Sequence, residues 1–212
     1  MSEETKGRLV ILSGPSCVGK SPLSKAIAKF HPELRETLQP LVLYNSRSAR
    51  PGEVDGVDYH FRSRSQVDSL KGRGHFAVMD VRGDLQALDL QELSASLAKG
   101  NVFFEGNPFV GRALQTRPEL SGVNRLSVFM SPLSREEILF LKTVEPSVSI
   151  PELKEAHCFQ YVIPNHDGED SENWDAFYHP IGDARMALLA FVSLLTGKTP
   201  AHVEKWEEGM IP

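Results

Sequence analysis

The sequence is poor in cysteine, in long apolar runs and in excess positive charge, and each absence excludes a class of protein. The two cysteines, Cys17 and Cys158, lack metal-ligand spacing and make a poor disulfide framework. The longest apolar run, near Met186–Leu195, is too short to span a bilayer. A formal net charge of −5 means that the chain lacks the excess positive charge that general nucleic-acid binding requires. We therefore expect neither nucleic acid nor a membrane among the partners.

Signals for export and for zinc are also missing. The N-terminal stretch, Met1–Gly7, is polar and lacks the apolar segment of a signal peptide, so the expected localisation is cytoplasmic. The seven histidines show no zinc-ligand spacing. The composition, 41% hydrophobic and 24% charged over 212 residues, is ordinary for a globular protein. It predicts no oligomeric state.

Strand-like and helix-like patterns alternate along most of the chain. A buried strand pattern at Arg8–Ser13 leads into a helical pattern, and the alternation continues to a long helix that ends near Gly197. This alternation predicts an α/β fold with a parallel sheet covered on both faces. Residues 45–88 break the rhythm and are predicted to form a small mixed α+β insertion. The core would then comprise residues 1–44 and 89–212.

Four local elements are predicted from the sequence pattern. We expect one strand at Leu38–Tyr44 and a short antiparallel strand in "VDYHF". A capped helix is expected within "SRSQVDSLKG", and a second at Ser134–Leu141, which opens with a Ser-x-x-Glu pattern.

The most specific motif is "GPSCVGKS", Gly14–Ser21, which fits G-x-x-x-x-G-K-[ST] between a strand and a helix. Gly14 and Gly19 permit the tight turns that bring backbone N–H groups onto phosphate oxygens. Lys20 can reach the outer phosphates and Ser21 can ligand Mg²⁺. A chance Gly-Lys-Ser turn would not need this context. The predicted cofactor-binding residues here are Gly14, Ser16, Cys17, Val18, Gly19, Lys20 and Ser21.

A second motif, "SRSARPGEVDGVDYHF", combines arginines, a turn and aromatic residues. Together with the first motif it resembles guanylate kinases, whose second motif is two spaced arginines, then Gly-Glu, a Gly and Tyr-x-Phe. The matching positions are Arg47, Arg50, Gly52, Glu53, Gly56, Tyr59 and Phe61.

The resemblance implies a P-loop NTPase-type parallel sheet flanked by helices, an acceptor-binding insertion and a short lid at about residues 142–156. By the same resemblance Arg47, Arg50 and Tyr59 hold the phosphate of an acceptor monophosphate, and Glu53 orients an arginine or the loop. Guanidinium groups suit this task because they grip phosphate oxygens in a fork.

The base-reading positions of the family are altered. Apolar or shifted residues stand where guanine-reading groups are expected, namely Leu43, Val78, Met79 and Gln86. A carboxylate from Asp80 or Asp84 could act from a shifted position. Because a site that lacks its polar partners discriminates less, guanine specificity is not established by the motif.

Three further positions are implied by the resemblance. Glu105, at the end of the "NVFFEGN" strand, would hold Mg²⁺ through water or orient an arginine. Asn107 stands where the family has a base-reading aspartate, and its amide could read a different base edge. Asn165 would contribute to the cofactor site.

The lid region contains Lys142 and Lys154 and no arginine, whereas the family has several arginines there. Three interpretations stay open: Lys142 substitutes in part, Arg112 reaches in, or phosphoryl transfer is weak. The predicted catalytic groups are Lys20, Arg47, Glu105 and Lys142.

Two functions follow from these motifs. The first is an ATP-dependent nucleoside monophosphate kinase that uses ATP and Mg²⁺ to phosphorylate GMP or a related monophosphate. The second is a guanylate kinase-like module with little or no catalysis that binds nucleotide or a phosphorylated partner. The intact phosphate-binding loop favours the first.

Overall fold

A computed structural model describes residues 7–141, 150–176 and 178–211. Lys142 and the first half of the expected lid lie outside these ranges, so those predictions stay untested. Within the described ranges, none of the helices has the length and apolarity needed to cross a membrane.

The elements follow one another in a largely alternating order. The strands are β1 (Leu9–Ser13), β2 (Leu38–Pro40), β3 (Leu43–Asn45), β4 (Tyr59–Phe61), β5 (Phe76–Val81), β6 (Asp84–Asp89), β7 (Asn101–Gly106), β8 (Arg125–Ser131) and β9 (Tyr161–Pro164). The α-helices are α1 (Lys20–Phe30), α2 (Pro32–Arg35), α3 (Arg64–Ser69), α4 (Leu90–Lys99), α5 (Pro108–Thr116), α6 (Arg135–Leu141), α7 (Ile150–Lys154) and α8 (Gly182–Leu195).

A five-stranded parallel sheet in the order β2-β7-β1-β8-β9 forms the core. All five residues of β1 are buried, as expected of a strand covered on both faces. Its side chains alternate between two apolar clusters. Leu9 and Ile11 join the cluster that includes α4 and α5, whereas Val10 and Leu12 join that of α1 and α8. Burying each of these large apolar side chains stabilises the fold by about 1.5–3 kcal/mol. The parallel sheet with helices on both faces confirms the predicted α/β class.

A second, four-stranded sheet in the order β4-β3-β6-β5 is mixed, with β3 parallel to β4 and antiparallel to β6. Helix α3 packs on it through a small apolar cluster that includes Val67 and Leu85. Strands β5 and β6 form a hairpin closed by Arg82 and Gly83, whose φ angles are 56° and 87°. This sheet runs from Leu43 to Asp89, within and just around the predicted insertion.

Two local predictions are wrong. The chain leaves the core sheet after Pro40 and enters the second sheet at Leu43, so Leu38–Tyr44 is not one strand. The last bond to the core sheet is donated by the N–H of Leu41 to the carbonyl oxygen of Phe103, after which Tyr44 pairs with Ala87 of the second sheet. Strand β4 pairs with β3 in parallel rather than antiparallel, because the chain between them crosses over instead of turning back.

Both capped helices are confirmed. Ser63 Oγ accepts a hydrogen bond from the N–H of Gln66, and the side-chain oxygen of Gln66 accepts one from the N–H of Ser63. At α6, Ser134 and Glu137 exchange the same pair of bonds. The late helix α8 starts only at Gly182, after Pro180 and a left-handed φ of 58° at Gly182.

Candidate functional site

The glycine-rich loop lies at the carboxyl edge of the core sheet, between β1 and α1. Gly19 has a φ of 96°, and a Cβ there would lie 2.8 Å from both the Asn165 amide nitrogen and the Asp167 carbonyl. A Cβ on Gly14 would lie 2.4 Å from the carbonyl oxygen of Met130. Contacts under 3 Å force the surrounding backbone to shift. Both positions therefore require glycine.

The loop leaves a row of backbone donors open. No acceptor among residues 7–141, 150–176 and 178–211 takes a hydrogen bond from the N–H groups of residues 16–21. Such groups at the start of a helix favour an anion, because the helix dipole adds positive potential there. The loop fits a polyphosphate chemically.

Lys20 is held by the same loop. Its ammonium donates to the carbonyl oxygens of Gly14 at 2.9 Å and Pro15 at 2.5 Å. Burial lowers the pKa of Lys20, and the nearby Glu105 and Glu152 carboxylates oppose that shift. The side chain thus carries its charged group directly beside the open N–H donors.

Glu105 lies opposite the start of α1 and joins two serines. Its carboxylate accepts hydrogen bonds from Ser21 Oγ at 2.9 Å and from Ser24 Oγ at 2.5 Å. A hydroxyl and a carboxylate are oxygen ligands of the kind Mg²⁺ prefers, and Mg²⁺ retains several waters in such sites. Ser21 and Glu105 therefore fit a magnesium ion bound together with a nucleotide.

Asn165 holds the loop from behind. Its side chain is buried, and its amide nitrogen donates to the carbonyl oxygens of Val18 at 2.8 Å and Asp167 at 2.6 Å. These bonds fix the turn at Gly19. Direct contact between Asn165 and a cofactor stays a prediction, whereas its contact with the loop is seen here.

His166, the next residue, bridges two helices. Its ring contacts Asp183 of α8 at 2.5 Å and Glu137 of α6 at 2.9 Å. The hydrogen bond to Asp183, and after it the one to Glu137, raises the pKa of His166 above its usual value of about 6.5.

The stabilising contribution of His166 should therefore fall as the pH rises past neutrality. The imidazolium contributes fully below about pH 6.5, the unfolded-state pKa, and this contribution is lost as the pH rises through the higher folded-state pKa. Urea unfolding of wild type and His166→Gln at pH 5.5, 7 and 8.5 measures it. We expect the gap in unfolding free energy to narrow with rising pH. A gap that is constant, or that His202→Gln reproduces, would contradict this assignment.

The residues predicted to hold the acceptor phosphate, Arg47, Arg50 and Tyr59, are called the acceptor clamp below. One of them, Arg47, forms a compact ion pair with Glu53. Both terminal nitrogens of Arg47 donate to the two carboxylate oxygens of Glu53 at 2.6 Å, and Glu53 also accepts from the N–H of Arg50 at 2.7 Å. The Arg47 hydrogen bond is the main cause that lowers the pKa of Glu53 to about 2. Buried Asn45 fixes the start of the segment by accepting from the N–H of Arg47.

Two groups of the clamp remain available to a ligand. Burial raises the pKa of Tyr59, so its hydroxyl keeps its proton and can donate. Neither this hydroxyl nor the exposed guanidinium of Arg50 forms a hydrogen bond with a residue that the structure describes. Arg47 itself lies over the rings of Tyr59 and Phe61, 5.2 and 5.4 Å from their centroids.

One cavity of about 490 Å³ joins the two halves of the site. Ser21, Ser24 and Glu105 line it from the core, and Glu53 and Tyr59 line it from the second sheet. Motif residues separated by more than thirty positions thus face the same space.

Other predicted residues have different partners. Both polar ends of the Asn107 side chain are engaged, one with the N–H of Phe109 and the other with Glu152. Base reading by Asn107 stays a prediction. Arg112 pairs with Glu155, and the Nε–Oε2 distance is 3.1 Å. Asp80 accepts from the N–H of Gly83 in the hairpin turn.

Sequence reasoning missed four functional candidates: Ser24, Asn45, Arg82 and Glu152. Arg82 precedes a glycine in a strand–turn–strand pattern, which was a usable signal for a hairpin tip. The sequence contains no comparable signal for Glu152, because an acidic residue in a short helix is ordinarily on the surface.

A parallel sheet flanked by helices, with a glycine-rich loop entering a helix at its carboxyl edge, defines an α/β protein of the P-loop class. A family model described as guanylate kinase matches residues 6–77. The guanylate kinase of Nocardia farcinica is 36% identical over 145 residues, which cover 66% of this chain and 70% of that protein. The chain belongs to the guanylate kinase family.

Other relatives match over a smaller share. The guanylate kinase of Trichormus variabilis is 30% identical over 63% of this chain and 64% of its own length. That of Pseudomonas fluorescens strain Pf-5 is 40% identical over 45% of each chain. The chain thus spans about half to two thirds of these two curated relatives. A crystal structure of guanylate kinase from Anaplasma phagocytophilum superimposes with a TM-score of 0.61 at 18% identity, covering 93% of this chain and 89% of that one. That likeness supports the fold.

Proposed function

We propose that this chain is an ATP-dependent nucleoside monophosphate kinase that transfers the γ-phosphoryl group of ATP to GMP or a related monophosphate. The observation that carries the proposal is the shared cavity, where Ser21 and Glu105 beside the phosphate-binding loop face Glu53 and Tyr59 of the clamp. A kinase of this type needs a donor and an acceptor phosphate side by side, and a site for a single phosphate does not explain both halves.

The chain's contribution would be positioning and charge neutralisation. An oxygen of the acceptor phosphate attacks the γ-phosphorus, the bond from that phosphorus to the β–γ bridging oxygen breaks, and ADP leaves with the bond's electron pair. The open N–H groups of residues 16–21 and the Lys20 ammonium would hold the donor phosphates. Arg47, Arg50 and Tyr59 would hold the acceptor. Bound Mg²⁺, held through Ser21 and Glu105, would neutralise developing charge.

The acceptor is expected to be only weakly restricted by its base. Val78 and Met79 lie on β5, and Leu43 is buried, so these positions offer no polar side chain to a guanine. An apolar site discriminates among similar ligands by about a hundredfold or less. GMP is the proposed acceptor by family, and a second monophosphate should compete with it.

Turnover with a panel of acceptors tests the proposal. ADP formation is followed with ATP, Mg²⁺ and GMP, dGMP, AMP, UMP or CMP in turn. We expect turnover that requires both Mg²⁺ and a monophosphate, with at least one other acceptor within about a hundredfold of GMP in kcat/KM. Hydrolysis without acceptor would count against transfer. Binding of GMP without turnover for any acceptor would favour the non-catalytic module instead.

A further inference from the structure

The hairpin between β5 and β6 carries an arginine at an unusual backbone position. Arg82 has a φ of 56° and Gly83 a φ of 87°, so both turn residues are left-handed. Asparagine, aspartate or glycine ordinarily fills the first position of such a turn, because a larger side chain strains the backbone there. Residues kept in strained conformations are concentrated at functional sites. The strained backbone of Arg82 therefore suggests that its side chain has a functional role.

Its side chain reaches across to the phosphate-binding loop. Arg82 Nη1 donates to Ser16 Oγ at 3.1 Å, which joins the second sheet to the loop across 66 positions of sequence. Arg82 Nε donates to Glu152 Oε1 at 2.7 Å, and Nη2 donates to the same oxygen. The guanidinium is thus fixed beside the loop, although 49% of the side chain remains exposed to solvent.

Glu152 acts as a buried support for this arginine. Its side chain is 2% exposed, and Oε1 also accepts from the Asn107 amide at 3.0 Å. Within the described ranges, Glu152 Oε2 is buried and has no hydrogen-bond partner. A carboxylate in such a place needs a cation, and Arg82 is the ion-pair partner that the structure shows. Asn107 and Glu152 together hold the guanidinium plane in position.

The segment expected to supply such a charge lacks one of the right type. Between Lys142 and Lys154 the sequence contains no arginine, and lysine cannot grip phosphate oxygens in a fork. Arg112 is engaged with Glu155. Arg82 is the arginine that the described part of the chain brings into contact with the loop.

We propose that Arg82 is a donor-phosphate contact, in which the hairpin supplies a guanidinium to the outermost phosphate oxygens of the nucleotide held by the glycine-rich loop. The proposal rests on the proposed function in that the loop must bind a nucleoside triphosphate. Arg82 forms and breaks no covalent bond. It neutralises charge and ties that neutralisation to the sheet that carries the acceptor clamp.

Comparing two nucleotides tests the contact. Dissociation constants are measured by calorimetry for Mg²⁺-bound ADP and for an imido-bridged, non-hydrolysable ATP analogue. We expect Arg82→Gln to weaken the analogue about tenfold and ADP less than about twofold, because the removed charge-assisted bond goes to the terminal phosphate. Arg82→Lys should fall between wild type and Arg82→Gln. Arg73→Gln, at the opposite end of β5, should change neither value.

A purely structural role predicts a different pattern. If Arg82 only ties the hairpin to the core, Arg82→Gln lowers the melting temperature and affects both nucleotides equally or neither, which overturns the proposal. Because Arg82→Gln leaves Glu152 unpaired, the double variant Arg82→Gln/Glu152→Gln is measured as well. It should restore the melting temperature while keeping the selective loss for the analogue.

The nucleotide-binding test of Arg82 gives an answer even if the proposed kinase activity is not found. The binding comparison uses no acceptor, so a selective loss in Arg82→Gln supports the contact even if no monophosphate is phosphorylated. A wild-type protein that binds neither nucleotide overturns both. Where turnover is seen, Arg82→Gln should lower kcat about tenfold and leave the KM for the acceptor within about twofold. A change confined to the acceptor KM would instead contradict the assignment.

Discussion

Lys20→Ala should reduce acceptor-dependent turnover by about a thousandfold or more. The substitution removes the ammonium that lies between the carbonyls of Gly14 and Pro15, directly beside the open N–H groups of the loop. A group that neutralises charge in a phosphoryl-transfer transition state is worth about 10³-fold or more in rate. Steady-state ADP formation at saturating ATP and acceptor measures the loss in kcat.

The matched control is Lys29→Ala, which removes the same charge from an exposed position farther along α1. It should leave turnover within about twofold, as is typical of surface changes. Melting temperatures of both variants show whether they remain folded. Lys20→Ala with more than a tenth of wild-type kcat would rule out the catalytic role given to this residue. The same kcat loss in Lys29→Ala would point to a general disturbance of the helix.

The parts of the site that sequence reasoning located are those encoded in consecutive residues. The loop needs glycine where the backbone turns left-handed or passes close to Met130, and it needs a strand before it and a helix after it. Each of these requirements leaves a local mark in the sequence. The clamp is similar, since Arg47, Glu53 and the aromatic residues lie within fifteen positions and contact one another.

The parts that sequence reasoning missed depend on tertiary partners. Arg82 contacts Glu152, which is seventy positions away, and Ser24 contacts Glu105 across 81 positions. Nothing local distinguishes an acid that will be buried from one on a surface. The break in the predicted strand at Leu38–Tyr44 also depends on tertiary partners, because its first half pairs with β7 of the core sheet and its second half with β6 of the second sheet. Apolar pattern predicts that a residue is buried, but not which sheet will bury it.

Arg47→Ala should weaken the acceptor about a hundredfold or more and leave ATP nearly unchanged. The guanidinium of Arg47 lies over Tyr59 and Phe61 and donates to Glu53, and both Tyr59 and Glu53 line the cavity. The proposed acceptor phosphate would take this bidentate fork from Glu53 or share it. Hydrogen bonds to charged groups are worth about 1.5–3 kcal/mol each, so losing a bidentate pair gives a loss of this size. Initial rates over a grid of ATP and acceptor concentrations separate the two KM values.

The effect of Arg47→Ala on acceptor binding has a second contribution, from Glu53, and a double-mutant cycle separates it from the loss of the guanidinium. Without Arg47 its carboxylate would be left unpaired near the acceptor phosphate, and repulsion would add to the lost attraction. The pKa of Glu53 is about 2 only with Arg47 in place, and without Arg47 it returns toward its usual value of 4.5, so the carboxylate is still ionised at neutral pH. The cycle of Arg47→Ala, Glu53→Gln and the double variant separates the two contributions. We expect the double variant to bind acceptor better than Arg47→Ala alone, yet far more weakly than wild type.

Arg62→Ala is the matched control for this cycle, since Arg62 also forms an ion pair in the second sheet, with Asp55 at 2.9 Å. Its pair is more exposed than that of Arg47, and its loss should change the acceptor KM less than about threefold. Equal weakening of ATP and acceptor by Arg47→Ala would contradict the clamp, because it would mean that the guanidinium supports the whole cavity. Selective weakening of the acceptor, together with selective weakening of the ATP analogue by Arg82→Gln, would show that the second sheet contributes an arginine to each phosphate.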